Sequence, residues 1–192
     1  MADFNQAISV ILKHEGGYCN VPGDSGGATN WGISARFIDE QHLAQKYGLA
    51  VGADGRVTEE AIHALTQEAA KAIYRTEWWD AYGYGRVSSQ VVATKIFDMC
   101  VNMGPKAHIL VQRALNDLGA KLPVTGYFGP MTVGVLNSMA PANIVAALKS
   151  ESADMYRLIV QKNPSQAKFL NGWLARADWP ATIPADGGQM LA

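Results

Sequence analysis

Cysteine is nearly absent from this chain. Only Cys19 and Cys100 occur among 192 residues, in no Cys-x-x-Cys arrangement, which excludes a disulfide scaffold and a thiolate zinc site as the basis of the fold. Reduced thiols are the expectation, and a Cys19–Cys100 bridge stays open. An excess of charge of one sign is also lacking, since 16 Lys+Arg against 17 Asp+Glu leave a net charge of -1; nothing marks the whole chain for nucleic acid. No run of about 18 apolar residues is present to span a bilayer. Met1-Ala2-Asp3-Phe4-Asn5-Gln6 has neither the basic nor the apolar region of an export signal, so synthesis in the cytosol without such a signal is expected. Metal and cofactor signatures are missing too. His14, His42, His63 and His108 have no zinc-ligand spacing, His14-Glu15 is not a His-Glu-x-x-His helix, and no phosphate-cradling glycine loop appears. Neither a metal nor a cofactor is expected.

What the chain does have is a hydrophobic fraction of 48% with 17% charged residues, the balance of a globular protein with a substantial core. Charge is unevenly spread: residues 1–105 hold 8 Lys+Arg against 12 Asp+Glu, and residues 106–180 hold 8 against 4. Near the N-terminus, Phe4, Ala7, Ile8, Ile11 and Leu12 recur at the spacing of one helical face, with Asp3 and Gln6 placed as a capping pair. The next position on that stripe is Glu15, where Gly16-Gly17 ends the helix. Burial on the stripe and the negative end of the helix dipole both favour a carboxyl that keeps its proton, as a general acid must. Beyond eight intervening residues, Asp24 stands among Gly23, Ser25, Gly26 and Gly27, a setting for a solvated, ionised carboxylate. Thr29 adds a hydroxyl suited to holding a water. Two carboxyl groups in contrasting surroundings are the equipment for cleaving a glycosidic bond. Taken singly, each has an ordinary reading as well, a helix cap and a turn.

Further along, residues 34–47 read as a helix ended by Gly48, and Thr58 caps a long helix running to Trp78. The segment Trp78-Trp79-Asp80-Ala81-Tyr82-Gly83-Tyr84-Gly85 reads as a core plug or as a wall for sugar rings; Tyr18 and Trp31 suit the second role by proximity to the carboxylates. A helix from Ser88 or Ser89 carries an apolar face and a polar stripe of Thr94, Asp98 and Asn102. Gly104-Pro105 and Gly129-Pro130 are expected to place Pro at the first turn of a following helix, and further helices are expected at about 141–162 and 165–177.

The ordered set Glu15-Gly16-Gly17-Tyr18, Asp24-x-Gly26-Gly27-x-Thr29 and Gly32-Ile33, with Phe97-Asp98 and Val101-Asn102-Met103-Gly104-Pro105, resembles glycoside hydrolase family 108, the muramidases of phage endolysins and of some secretion systems. Gln112-Arg113-Ala114-Leu115 and Val124-Thr125-Gly126-Tyr127-Phe128-Gly129-Pro130 resemble the peptidoglycan-binding half of that family, whose members commonly carry Asp where this chain has Thr125. The resemblance implies a mainly α, lysozyme-like helical fold with a small β-hairpin at residues 16–33 and a helical C-terminal half. Its parts would be a catalytic domain at 1–90, a peptidoglycan-binding domain at 91–180 and a loose tail at 181–192, with a groove between the halves. It implies an N-acetylmuramidase that cuts the β-1,4 bond between N-acetylmuramic acid and N-acetylglucosamine. Glu15, Asp24 and Thr29 would be catalytic, and Tyr18, Trp31, Trp78, Asp98 and Asn102 would bind substrate. An Asp24 that activates water calls for carboxyl groups about 6.5–9.5 Å apart and a nucleophilic one for about 5–5.5 Å. The expected partner is the glycan strand of peptidoglycan, met in the periplasm or cell wall by a monomer that a separate holin-like protein releases, with no nucleic acid and no membrane insertion. A lytic transglycosylase, a secretion-system muramidase and a noncatalytic wall-binding or assembly protein are the alternatives.

Overall fold

The computed structural model describes residues 1–20 and 27–180. Residues 21–26, with Asp24, and the tail at 181–192 lie outside the described residues. The fold is mainly helical, with one small two-stranded antiparallel sheet among the described residues. The chain forms two compact units. One is Ile8–Glu77; the other joins Met1–Ala7 to the residues from Trp78 onward.

In the Ile8–Glu77 unit, helix α1 (Phe4–Glu15) brings in Ile8, Val10 and Ile11, all buried. Strands β1 (Thr29–Asn30) and β2 (Ile33–Ser34) make a tight hairpin, and a bridge from Cys19 to Thr29 extends it backwards. The hairpin thus falls within the expected region and ends one residue beyond it. Helix α2 (Ala35–Glu40) is much shorter than the helix expected over 34–47. His42, at φ 53, closes it with hydrogen bonds from His42 N to Asp39 O at 3.1 Å and from Leu43 N to Ile38 O at 2.9 Å, a left-handed helix stop made without glycine. The long helix expected from Thr58 is also divided. Helix α3 (Glu59–His63) is capped by Thr58, and α4 (Gln67–Tyr74) has its own cap, the Thr66 hydroxyl, which accepts from Ala69 N. What makes the break tolerable comes from far away in sequence. The side-chain amide of buried Asn30 donates to Ile62 O, His63 O and Leu65 O at 3.1, 3.0 and 3.2 Å, satisfying carbonyls that a continuous helix would have used itself.

A π-helical turn (Arg75–Asp80) follows α4, and a 3-10 turn (Tyr84–Arg86) leads to helix α5 (Gln90–Met103). α5 is the axis of the second unit: every residue from Gln90 to Cys100 is buried. Around it lie α6 (Ala107–Asp117), α7 (Pro130–Ser138), α8 (Pro141–Lys162), a 3-10 turn (Pro164–Phe169) and α9 (Leu170–Ala177). α8 presents Ile144, Val145, Leu148, Ser152 and Tyr156 as one buried stripe, and it packs on α5, α6 and α9. In the same unit, Asp3 Oδ1 caps α1 by accepting from Gln6 N at 3.0 Å, while its own amide donates to Gln90 Oε1 at 2.6 Å. Trp79 is the core plug of this unit, edge-on to Phe4, Tyr84 and Phe97 at 5.8, 6.0 and 5.5 Å. Both cysteines are free, and burial pushes the Cys100 thiol up to about 11.

His108 sits under the aromatic cluster, 1% exposed, with Nε2 2.7 Å from the Tyr84 hydroxyl. Burial pulls its pKa down to about 4, against a weaker opposing effect of a hydrogen bond with the Gly126 backbone. The folded form therefore rejects a proton that the unfolded chain accepts below its ordinary value near 6.5. The stabilisation is complete above pH 6.5 and is lost as pH falls toward 4, by on the order of 2–3 kcal/mol. Urea melts at pH 7 and pH 4.5 are expected to show this acid loss in the parent and a smaller one in His108→Gln; equal slopes would remove His108 as the cause.

Candidate active site

Glu15 is the last residue of α1 and is half-buried. Its side chain lies against the hairpin tip. A Cβ built on Gly32 would stand 2.7 Å from Glu15 Cγ and 2.8 Å from Glu15 Cβ, and it would also strike the Tyr74 hydroxyl. Gly32 has φ +78, so glycine is required there twice, by conformation and by space. Tyr74, wholly buried on α4, donates to Trp31 O at 3.1 Å. Trp31, at φ 52, donates from Nε1 to Leu65 O at 3.1 Å. The hairpin tip is thus tied to α3 and α4 at Asn30 and Trp31, and the Glu15 side chain rests on that fixed backbone.

The other candidates take separate places. Thr29 is half-buried at the start of β1, paired through its backbone with Cys19 at 2.8 and 2.9 Å. Tyr18 is exposed, and its hydroxyl donates to Glu59 Oε1 at 2.7 Å, as does the Asn20 amide at 2.6 Å. These two bonds hold the Glu59 carboxyl below its ordinary range, and the bond to Glu59 raises the Tyr18 phenol against an opposing effect of Asn20. The Tyr18 ring also meets His63 edge-on at 4.5 Å. The segment after Gly17 is therefore pinned to the first turn of α3. A cavity of about 730 Å³ opens in this unit, walled by Gly27, Arg36, Asp39, Asp54, Arg56 and Thr58 among others, and is of a size for ligands.

Asp98, Asn102 and Trp78 belong to the other unit. Asp98 is 1% exposed, and Arg176 of α9 binds it with Nη2 2.8 Å and Nε 3.1 Å from Oδ1. Beside it Lys95, fully buried, donates to Arg176 O and Ala177 O at 3.2 and 2.8 Å, closing the end of α9. Burial lowers the Lys95 pKa to about 8, with Asp98 acting in the opposite direction. Asn102 accepts from the Tyr156 hydroxyl at 2.6 Å. Trp78 is half-buried in the π-helical turn. The polar stripe on α5 is therefore satisfied by protein groups: Gln90 reaches Thr94 at 3.1 Å, Arg176 reaches Asp98, and Tyr156 reaches Asn102. Among the described residues, no group of three or more His, Cys, Asp and Glu is placed to hold a metal ion, and no helix is long and apolar enough to cross a membrane.

Sequence reasoning did not find Tyr74, Asn30, Glu59 or Arg176. Neither Tyr74 nor Asn30 stands in a motif of its own. Their partners are set by contacts 30 or more residues apart, which spacing along one element does not reveal.

The structure of SagA from Brucella abortus is similar to this chain at TM-score 0.68 and 26% identity, over 91% of this chain and 89% of that one. A search of curated proteins finds no significant relative. The family model described as "Predicted Peptidoglycan domain" matches residues 106–178. The model described as "Glycosyl hydrolase 108" matches residues 8–104, which include Glu15, the hairpin, Asp98 and Asn102. That second match spans half of the 192 residues, and the chain accordingly belongs to glycosyl hydrolase family 108, as a glycoside hydrolase that acts on peptidoglycan.

Proposed function

We propose that this protein is an N-acetylmuramidase that cuts the β-1,4 bond between N-acetylmuramic acid and N-acetylglucosamine, with Glu15 as general acid. The observation that carries the reading is the seating of Glu15: a carboxyl at the end of α1, laid against the Gly32 backbone that Tyr74 and Trp31 help to fix. A side chain so placed meets the leaving oxygen in one geometry and loses little freedom in the reaction. Glu15 protonates the leaving oxygen, Asp24 activates water on the opposite face of the sugar, and Thr29 helps hold that water; the anomeric configuration inverts. Tyr18, Trp31 and Trp78 supply faces for the glycan. The N-terminal family region carries the chemistry and the C-terminal one holds the wall. The biological setting is lysis of a bacterial host at the end of a phage cycle, with a monomer reaching the wall after a separate holin-like protein opens the membrane.

The chemistry is tested by its products. Mass spectrometry of digested cell walls is expected to find reducing N-acetylmuramic acid ends, and Asp24→Asn is expected to lower their yield by about 10²-fold or more. Anhydro-muramic ends, with Asp24→Asn at parental activity, would instead mark a lytic transglycosylase.

A further inference from the structure

A second cleft, of about 460 Å³, lies far along the chain from Glu15, at the loop between α6 and α7. Its position is built by one side chain. Gln112, 2% exposed on α6, accepts from Thr125 N and Gly126 N, both at 2.8 Å, and donates to Tyr127 O at 3.0 Å. Thr125 adds a short turn by accepting from Tyr127 N at 3.2 Å. The Tyr127 ring rests on Gly129, where an added Cβ would fall 2.8 Å from Cδ1 and 3.1 Å from Cζ. Tyr127 is nevertheless 73% exposed, beside Met131 at 63% and Val124 at 45%. Water thus meets an aromatic ring held in place, next to a small apolar floor that includes Leu122, Pro123 and Pro130.

We propose that this cleft is a glycan-binding site, which takes the apolar face of an N-acetylglucosamine unit of peptidoglycan against Tyr127. The proposal rests on the peptidoglycan reading, and every wall residue lies within the peptidoglycan family match at 106–178. Two observations choose the sugar over the peptide part of the wall. Among the described residues no charged side chain lines the cleft, so the carboxylates and amines of a stem peptide find no counter-charge there, whereas an N-acetylglucosamine unit is neutral. An exposed, fixed aromatic ring with hydroxyls of Thr125 and Thr132 nearby matches a pyranose, whose CH face is apolar and whose edge is polar.

The test uses the full chain carrying Glu15→Gln, so that the wall is not consumed. Sedimentation with isolated sacculi is measured for that chain and for added Tyr127→Ala, Tyr127→Phe and Met131→Lys, each checked for an unchanged melting temperature. Tyr127→Ala and Met131→Lys are expected to bind about tenfold more weakly and Tyr127→Phe to bind like its parent. A soluble oligomer of N-acetylglucosamine is expected to compete. Parental binding by Tyr127→Ala, or competition by soluble stem peptide and not by the sugar oligomer, overturns the assignment. Should Glu15→Gln still clear walls, the muramidase reading falls, and the sedimentation result stands apart from it.

Discussion

Glu15→Gln is expected to lower clearing of isolated cell walls by roughly 10²–10⁴-fold, the usual contribution of a positioned general acid. The substitution keeps the size of the side chain and its contact with the Gly32 backbone, so the melting temperature should stay within a degree or two of the parent's. In the proposed mechanism the substitution removes the proton given to the leaving oxygen, and the loss should therefore fall on kcat with KM little changed. Gly32→Ala is the companion variant. It leaves the carboxyl in the molecule but forces a methyl into the space held by Glu15 and Tyr74, at a backbone angle that alanine adopts only with strain. A drop in kcat in this variant, without any change in the chemistry of residue 15, reports the cost of displacing the acid. Clearing at the parental rate by Glu15→Gln would withdraw the catalytic assignment.

Asp98→Ala is expected to destabilise the protein by about 3–5 kcal/mol, because it breaks one side of a buried ion pair. The carboxylate receives two guanidinium nitrogens, Nη2 and Nε of Arg176, and Asp98 is 1% exposed. Without it, Arg176 and Lys95 lose the buried carboxylate that offsets their like charges. The C-terminal end of α9, where Lys95 holds the last carbonyls, would then loosen. Guanidinium melts measure the effect. A substrate contact would give a different pattern, a raised KM with an unchanged midpoint, and that result would support the sugar-binding role expected of Asp98 from the sequence.

Much of this was legible in the residues themselves. Phe4, Ala7, Ile8 and Ile11 of the first stripe are buried as its period implies, Leu12 is half-buried, and Glu15 ends that helix where Gly16 turns. Pro130 opens α7 as its fixed φ and missing N–H suggest, whereas Pro105 stands before α6, which begins only at Ala107. These features are set by neighbours in sequence.

What the chain order did not reveal is where polar groups find partners. Thr58 and Trp78 bracket a stretch with helical periodicity, yet Asn30, a distant residue, stabilises a break in it by taking three carbonyls. A polar stripe on α5 looks like a wet face until α8 and α9 bring Tyr156 and Arg176 to it. Local spacing determines which residues turn together on a helix or end it. Only tertiary packing decides which buried donor meets which acceptor, because an unpaired polar group inside the protein is costly and any satisfying partner, however far along the chain, is favoured.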